Sequence, residues 1–248
     1  MINTKLLAGF PREVKVLVAA SFFVAVGFGV IVPAMPLFAK SFGVNNSAVG
    51  LIVSTFAIAR FCSGLISGKL VDLFGERLVF AIGILMVSFF TFLCALAQSC
   101  TQLLIFRSAG GLGSSMFSVA AGSIIMRSVS DDQRGRAQSV YNGSFLVGGI
   151  AGPAIGGALS TISLRAPFFT YSVTLLCAGT IGFFFLSPGK PSAKAEVAGD
   201  EKMSIPEALR LPPYRTALIL SFVTSWVLLG LRSSILPLFV TEELHSTT

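Results

Sequence analysis

The amino-acid sequence describes an apolar, basic chain of 248 residues, of which 54% are hydrophobic and only 12% are charged, with a formal net charge of +7. A soluble domain of this length would carry about 25% charged residues, so the composition excludes an ordinary water-soluble domain. The basic residues are spread over several loops and do not indicate a nucleic-acid partner. The chain is therefore predicted to be an integral membrane protein with the lipid bilayer as its partner.

Seven apolar segments are long enough to cross a membrane. Each has about 20 to 26 residues, which as a helix covers the roughly 30 Å of hydrocarbon with some tilt. No short alternating strands of a membrane β-barrel are visible, so the predicted fold class is all-α, a polytopic membrane helix bundle. The predicted spans are 14–39, 48–68, 78–98, 102–126, 137–161, 166–187 and 215–239.

The basic residues predict a cytoplasmic N-terminus in a multi-pass protein of the cytoplasmic (plasma) membrane. With this orientation, thirteen of the 18 Lys and Arg residues lie on the cytoplasmic side, and only Lys40 and Arg165 lie on the opposite side. An excess of cytoplasmic Lys and Arg is the rule that sets membrane topology. The first apolar run is too long for a secretion signal, so we expect a retained helix.

A polar connection divides the spans into six and one. It is rich in Pro, Lys, Glu, Ala and Ser, which indicates a linker, although its stretch SIPEALR predicts a short helix capped by Ser204. The chain ends where an eighth helix is expected, which indicates a fragment or a prematurely ended chain. Its expected partners are then the remaining helices of the full-length protein. The predicted domains are 1–187, a six-helix half; 188–213, a cytoplasmic linker; and 214–248, the seventh helix and start of a missing second half.

Two spans share a short repeat near the predicted outer face. Pro36-Leu37-Phe38 of the first span recurs as Pro237-Leu238-Phe239 in the seventh. A match between the first helices of two units indicates a parallel repeat of six-helix halves. Many secondary transporters have this arrangement.

The connection Ser67–Arg77, SGKLVDLFGER, holds four charges and two glycines between apolar spans. It resembles the loop between helices 2 and 3 of the major facilitator superfamily, with the pattern G-x-L-x-D-R-x-G-R-R. The matching residues are Gly68, Leu70, Asp72, Gly75 and Arg77, whereas Leu73 and Glu76 stand where the family usually has arginines.

This connection is expected to act as an inner gate. Gly68 would permit close helix packing, and Gly75 a turn that a Cβ would hinder. Asp72 could cap a neighbouring helix or pair with a cytoplasmic arginine, such as Arg134 or Arg136 of the loop 131–137. The resemblance implies that this contact breaks and re-forms as access alternates. The alternative is a solvated turn whose charges only set topology.

Further stretches carry the same resemblance. FRSAGGLGSS resembles the family pattern R-x-x-x-G-x-G through Arg107, Gly111 and Gly113, and GVIVPAMP resembles a proline-pair pattern of drug exporters with about twelve spans. GGIAGPAIGG resembles the G-x-x-x-G-P-x-x-G-G signature of antiporter members. The residues that match this signature are Gly148, Gly152, Pro153, Gly156 and Gly157.

The fifth span is predicted to act as a second gate. Gly148, Gly152 and Gly156 recur every four residues and leave one helix face bare, so another helix can approach closely. Pro153 removes a backbone hydrogen bond and favours a kink. Ordinary small-residue packing is the alternative.

Three arginines within spans, Arg60, Arg107 and Arg232, are predicted to serve the substrate or the coupling ion. Charges in a bilayer are costly and usually face a cavity or a partner. Arg60 is nearest the midplane and is expected to face the interior, whereas the other two could reach the outer interface instead. None of the 11 Asp and Glu residues lies in the middle of a predicted span.

The sequence favours a transporter over an enzyme. It shows no phosphate-binding loop, nucleophile elbow or metal-ligand cluster, so no cofactor and no metal are expected. The preferred function is efflux of small amphipathic or drug-like molecules in exchange for protons, which the resemblance implies. The alternatives are uptake or exchange of an anionic metabolite at the arginines, or a non-transporting fragment.

Overall fold

The computed structural model describes residues 9–187, 205–225 and 227. The chain divides into two units, Met1–Ala195 and Glu196–Thr248. The first unit holds α1 (Arg12–Lys40), α2 (Asn46–Cys62), α3 (Gly64–Phe74), α4 (Glu76–Leu96), α5 (Cys100–Ser128), α6 (Asp131–Ile162) and α7 (Ala166–Phe185); the second holds α8 (Ile205–Arg210) and α9 (Pro212–Ser225).

The helices of the first unit confirm the predicted fold class. Five of them, α1, α4, α5, α6 and α7, are each long and apolar enough to cross a membrane, and α2 with α3 supplies a sixth span if the bent pair is counted as one. The unit is thus an all-helical membrane bundle. In the second unit, α8 coincides with the predicted short helix; its cap Ser204, and the seventh span beyond α9 apart from residue 227, lie outside the described residues.

The second span is broken, which the sequence prediction of a single helix over 48–68 missed. The axes of α2 and α3 differ by 48°. At the break, the Ser63 hydroxyl donates to the Ala59 carbonyl at 2.7 Å, with the Arg60 carbonyl at 3.2 Å. Serine side chains that bond back to the preceding turn often bend helices, so Ser63 gives a local cause for the bend.

Two predicted loops are largely helical. The charged stretch after Ser67 continues as α3 to Phe74, and a single residue, Gly75, joins it to α4. The predicted loop 131–137 is the first two turns of α6, which begins at Asp131. The sequence prediction ended each helix at its charged residues, because charges are expected outside the hydrocarbon. A helix also satisfies its own backbone hydrogen bonds outside the hydrocarbon and can therefore continue there.

Close helix packing and interhelical serine contacts hold the bundle together. The helix α1 packs against α6 and α7, and α4 packs against α5 and α7. Ser88 of α4 and Ser172 of α7 each donate to the carbonyl of the other, at 2.8 and 3.0 Å. Ser21 of α1 also contacts Ser144 of α6. Small and hydroxyl-bearing residues are what membrane helices use at their interfaces.

Candidate functional site

A cavity of about 440 Å³ lies among five helices of the first unit. Its walls combine six aromatic rings, two serines, one glutamine, one asparagine, one valine and one arginine. The lining residues are Val24 and Phe28 of α1; Phe56 and Arg60 of α2; Ser114, Phe117 and Ser118 of α5; Gln138, Tyr141, Asn142 and Phe145 of α6; and Tyr171 of α7. Such a mostly apolar cavity with a few polar groups is typical of small-molecule sites.

Arg60 is the charged residue of this lining. It lies at the middle of the broken span 46–74, about 21 Å of helix from either end by the usual rise per residue. Its Nη1 donates to Ser114 Oγ at 3.2 Å and its Nη2 donates to Ser118 Oγ at 2.9 Å. The side chain therefore faces α5 and the cavity, as the sequence predicted for its direction.

The guanidinium of Arg60 keeps donors to spare. An arginine has five N–H groups, and within the described residues two of them are used, both by serines. The two ion pairs found among the described residues involve other arginines. Within this part of the chain, Arg60 thus presents to the cavity a positive charge that no carboxylate compensates.

Arg107 is placed differently from Arg60. Its guanidinium carbon stacks 4.1 Å from the centre of the Phe56 ring, and the residue is only 8% exposed. Its Nε has no hydrogen-bond partner among the described residues. Phe56 lines the cavity and Arg107 does not. Arg107 is thus buried within the bundle rather than extended to the outer interface, which the sequence left open.

The glycines that follow Arg107 allow two close helix contacts. A Cβ on Gly111 would lie 2.5 Å from the Phe56 carbonyl oxygen, and a Cβ on Gly113 would lie 2.6 Å from that of Gly83. Gly111 therefore admits α2 and Gly113 admits α4. The close approach at Gly111 holds the Phe56–Arg60 turn against α5, where Arg60 meets its serines.

The predicted inner gate is only partly assembled within the described residues. Gly75 has φ +82°, a conformation that favours glycine, which confirms the expected turn. A Cβ on Gly68 would meet no neighbouring atom within 4 Å, so the expected close packing at this position is wrong for the described part of the chain. Asp72 is exposed and makes no hydrogen bond or ion pair to Arg134, Arg136 or another described residue.

The basic residues of the predicted gate have other partners. Arg77 donates to the Phe183 carbonyl oxygen at 2.8 Å, and its guanidinium lies over the aromatic ring of the same residue. Arg134 pairs with Asp131 at 3.0 Å, within α6. Arg136 lies over the ring of Phe10, at 5.1 Å.

The sequence analysis missed an ion pair next to this turn. Glu76, where the resemblance would put an arginine, is 7% exposed and pairs with Arg127 at 2.9 Å, while Ser123 donates to its other oxygen at 3.3 Å. The pair joins the start of α4 to the end of α5. The departure from the pattern at 76 was the available signal, since a replaced charge indicates a changed partner.

The cavity face of α6 was also missed. Gln138, Tyr141, Asn142 and Phe145 follow the spacing i, i+3, i+4, i+7, which places them on one face of a helix. Polar and aromatic residues at this spacing inside a span indicate a cavity rather than lipid. All four residues lie within the predicted span 137–161, so their spacing was the available signal.

The glycine face of α6 packs against α1, as predicted. A Cβ on Gly148 would lie 2.7 Å from that of Ala25, and a Cβ on Gly152 would lie 2.5 Å from the carbonyl carbon of Gly29. Gly156 faces the Val30 carbonyl. Gly157 has open space, and the helix runs on through Pro153. Arg232 lies outside the described residues.

Comparison with known proteins gives the family context. A family model described as Major Facilitator Superfamily matches residues 17–248. "Multidrug resistance protein 1" of Bacillus subtilis is 27% identical over 94% of this chain and 59% of its own length, and "Quinolone resistance protein NorA" of Staphylococcus aureus is 25% identical over 85% and 55%. "Citrate exporter 1" of Yarrowia lipolytica is 33% identical over 53% of this chain and 20% of its own length.

The fold has a solved counterpart. The crystal structure of a peptide transporter, POT (E310Q mutant) in complex with sulfate, superposes with a TM-score of 0.66 at 15% identity, over 89% of this chain and 47% of that one. The chain thus spans somewhat more than half the length of the two drug-resistance relatives.

Proposed function

Because the chain belongs to the major facilitator superfamily, we propose that it is part of a secondary active transporter that exports small amphipathic or drug-like molecules by proton antiport with alternating access. The observation that carries this proposal is the cavity of about 440 Å³ with its six aromatic rings. Aromatic walls bind varied apolar ring systems through area burial and stacking, without requiring one fixed shape. The drug-resistance names of two relatives support the same class.

The residues that line the cavity form one wall of the proposed transport path. The lining comes from α1, α2, α5, α6 and α7, and we assign the opposite wall to helices outside the described residues. The described helices offer no carboxylate in the cavity lining. The proton-coupling carboxylate is therefore proposed to lie on those further helices, and the N-terminus is proposed to be cytoplasmic, in keeping with the Lys and Arg distribution.

A second candidate is uptake or exchange of an anionic metabolite. Arg60 favours it, because its charge faces the cavity without a carboxylate partner in the described part of the chain. The name of the citrate exporter supports an anion as substrate for that relative. The two candidates differ in direction and in the charge of the cargo.

Everted membrane vesicles test the proposal. A fluorescent amphipathic dye would be added outside vesicles from cells that express the complete gene product, and the vesicles would be energised with an acidic lumen. We expect dye accumulation that a protonophore abolishes. Accumulation without any response to the pH gradient would contradict proton antiport. Release or exchange of an organic anion from preloaded vesicles, without dye accumulation, would favour the second candidate.

A further inference from the structure

The arrangement around Arg60 points to the charge of the cargo. We propose that Arg60, held by Ser114 and Ser118, is a carboxylate subsite, and that the cavity takes aromatic amphipathic molecules that carry one carboxylate. This inference rests on the proposed function, since it assumes that the cavity binds the transported molecule. It identifies a class of substrate that neither candidate function specifies.

The two serines fix the guanidinium in place. They lie four residues apart on α5, one turn above the other, and each accepts from a different terminal nitrogen of Arg60. Ser118 donates its own hydroxyl proton to the Ser114 carbonyl at 2.8 Å, so its oxygen faces Arg60 as an acceptor. The planar fork is therefore oriented before any ligand arrives, which reduces the ordering cost of binding.

The remaining donors suit a carboxylate. With two of five N–H groups used by serines, three remain, including one on each terminal nitrogen. A carboxylate can accept two parallel N–H bonds from such a fork, and this pairing is stronger than a hydrogen bond between neutral groups. A cation in the same place would be repelled by the charge of Arg60, because the cavity lining holds no acidic residue among the described ones.

The rest of the cavity limits the cargo to one charge and an aromatic body. Gln138 donates to Asn142 at 3.1 Å, so these two polar residues of α6 partly satisfy each other and carry no charge. Phe117 and Phe145 line the cavity beside them, and Phe56 separates it from Arg107. Within the described residues the lining offers one guanidinium, which matches one carboxylate, whereas a tricarboxylate would leave two charges unpaired there.

Three probes with the same ring system test the charge preference. The complete gene product, purified into lipid nanodiscs, would be titrated with radiolabelled 2-naphthoate, methyl 2-naphthoate and 2-naphthylmethylammonium. We expect the naphthoate to bind at least tenfold tighter than the ester, and the ammonium to bind most weakly. Equal affinities for naphthoate and ester would overturn the subsite.

Variants then assign the preference to Arg60. Arg60→Ala should remove the naphthoate preference and leave ester binding within about twofold, whereas Arg60→Lys should keep part of it. Ser118→Ala should reduce the naphthoate-to-ester ratio severalfold, because the fork loses an acceptor that orients it. Ser88→Ala, a buried serine outside the cavity, is the matched control and should leave the ratio unchanged.

The outcomes separate the two proposals. Preference for the ammonium would overturn the carboxylate subsite and leave drug efflux standing. Failure of all three probes to bind would count against both. If Arg60→Ala does not fold, the Ser118→Ala ratio decides, and an unchanged ratio would overturn the assignment to this arginine.

Discussion

Glu76 joins two helices through the ion pair with Arg127 beside the Gly75 turn. The Glu76 side chain is 10% exposed and that of Arg127 is 43% exposed, so the pair is screened on one side. Breaking a fully buried pair costs several kcal/mol, but an exposed partner can be resolvated. We therefore expect Glu76→Gln to lower stability by about 1 to 2 kcal/mol, read as a lower melting temperature in detergent.

The matched control is the other ion pair of the described residues. Asp131 and Arg134 are both exposed, and we expect Asp131→Asn to change stability by less than about 0.5 kcal/mol. Exchanging the charges, with Glu76→Arg and Arg127→Glu together, should recover part of the loss. Equal effects at Glu76 and Asp131 would show that the Glu76–Arg127 pair has no special role.

Asp72 is expected to affect transport without contributing to the stability of the described bundle. It is exposed on α3 and has no polar partner among the described residues. Asp72→Asn should therefore leave protein abundance and melting temperature unchanged while it lowers the initial transport rate in vesicles, because only a contact made during gating would lose its charge. A normal rate at normal abundance would remove the proposed gate role.

The contact between α1 and α6 depends on the absence of side chains. Gly152 faces Gly29 so closely that even a Cβ would meet the backbone of α1. A Cβ on Gly149, on the same helix, would meet no atom of another helix within 4 Å. We expect Gly152→Leu to force the helices apart and abolish transport, with reduced abundance or with a proton leak. Gly149→Leu is the control and should retain abundance and stability.

Vesicle transport and abundance would be measured for both leucine variants. Full activity without leak in the Gly152 variant would show that α1 and α6 tolerate separation. Loss of abundance in the Gly149 variant alone would reverse the assignment of the packed face.

At the same scale, hydropathy located the helices but not their ends or breaks. The six predicted spans of the first half all have helical counterparts, because twenty apolar residues in lipid must form a helix. The bend at Ser63 was missed because it depends on one hydroxyl bond rather than on composition. Arg60 was found because a charge at mid-span needs a polar partner, but its serine partners are ordinary residues whose role only the packing of α2 on α5 reveals.

At the scale of the whole first unit, two exposed lysines predict how the bundle is oriented in the membrane. Lys40 ends α1 and Lys69 lies in α3, and both are exposed. By the positive-inside rule, we expect Lys69 to lie in the cytoplasm and Lys40 on the opposite side, because more basic residues share the predicted side of Lys69. With this orientation, α1 begins at the cytoplasmic face.

Cysteine labelling tests this orientation on the complete gene product. In a background with the four native cysteines replaced, Lys40→Cys should react with a membrane-impermeant maleimide in intact cells. Lys69→Cys should react only in everted vesicles or after permeabilisation. The opposite pattern would show that the topology is inverted. Arg60 would still face the same cavity, but the cytoplasmic and outer ends of the bundle would be exchanged. The proposed direction of export would then have to be reversed.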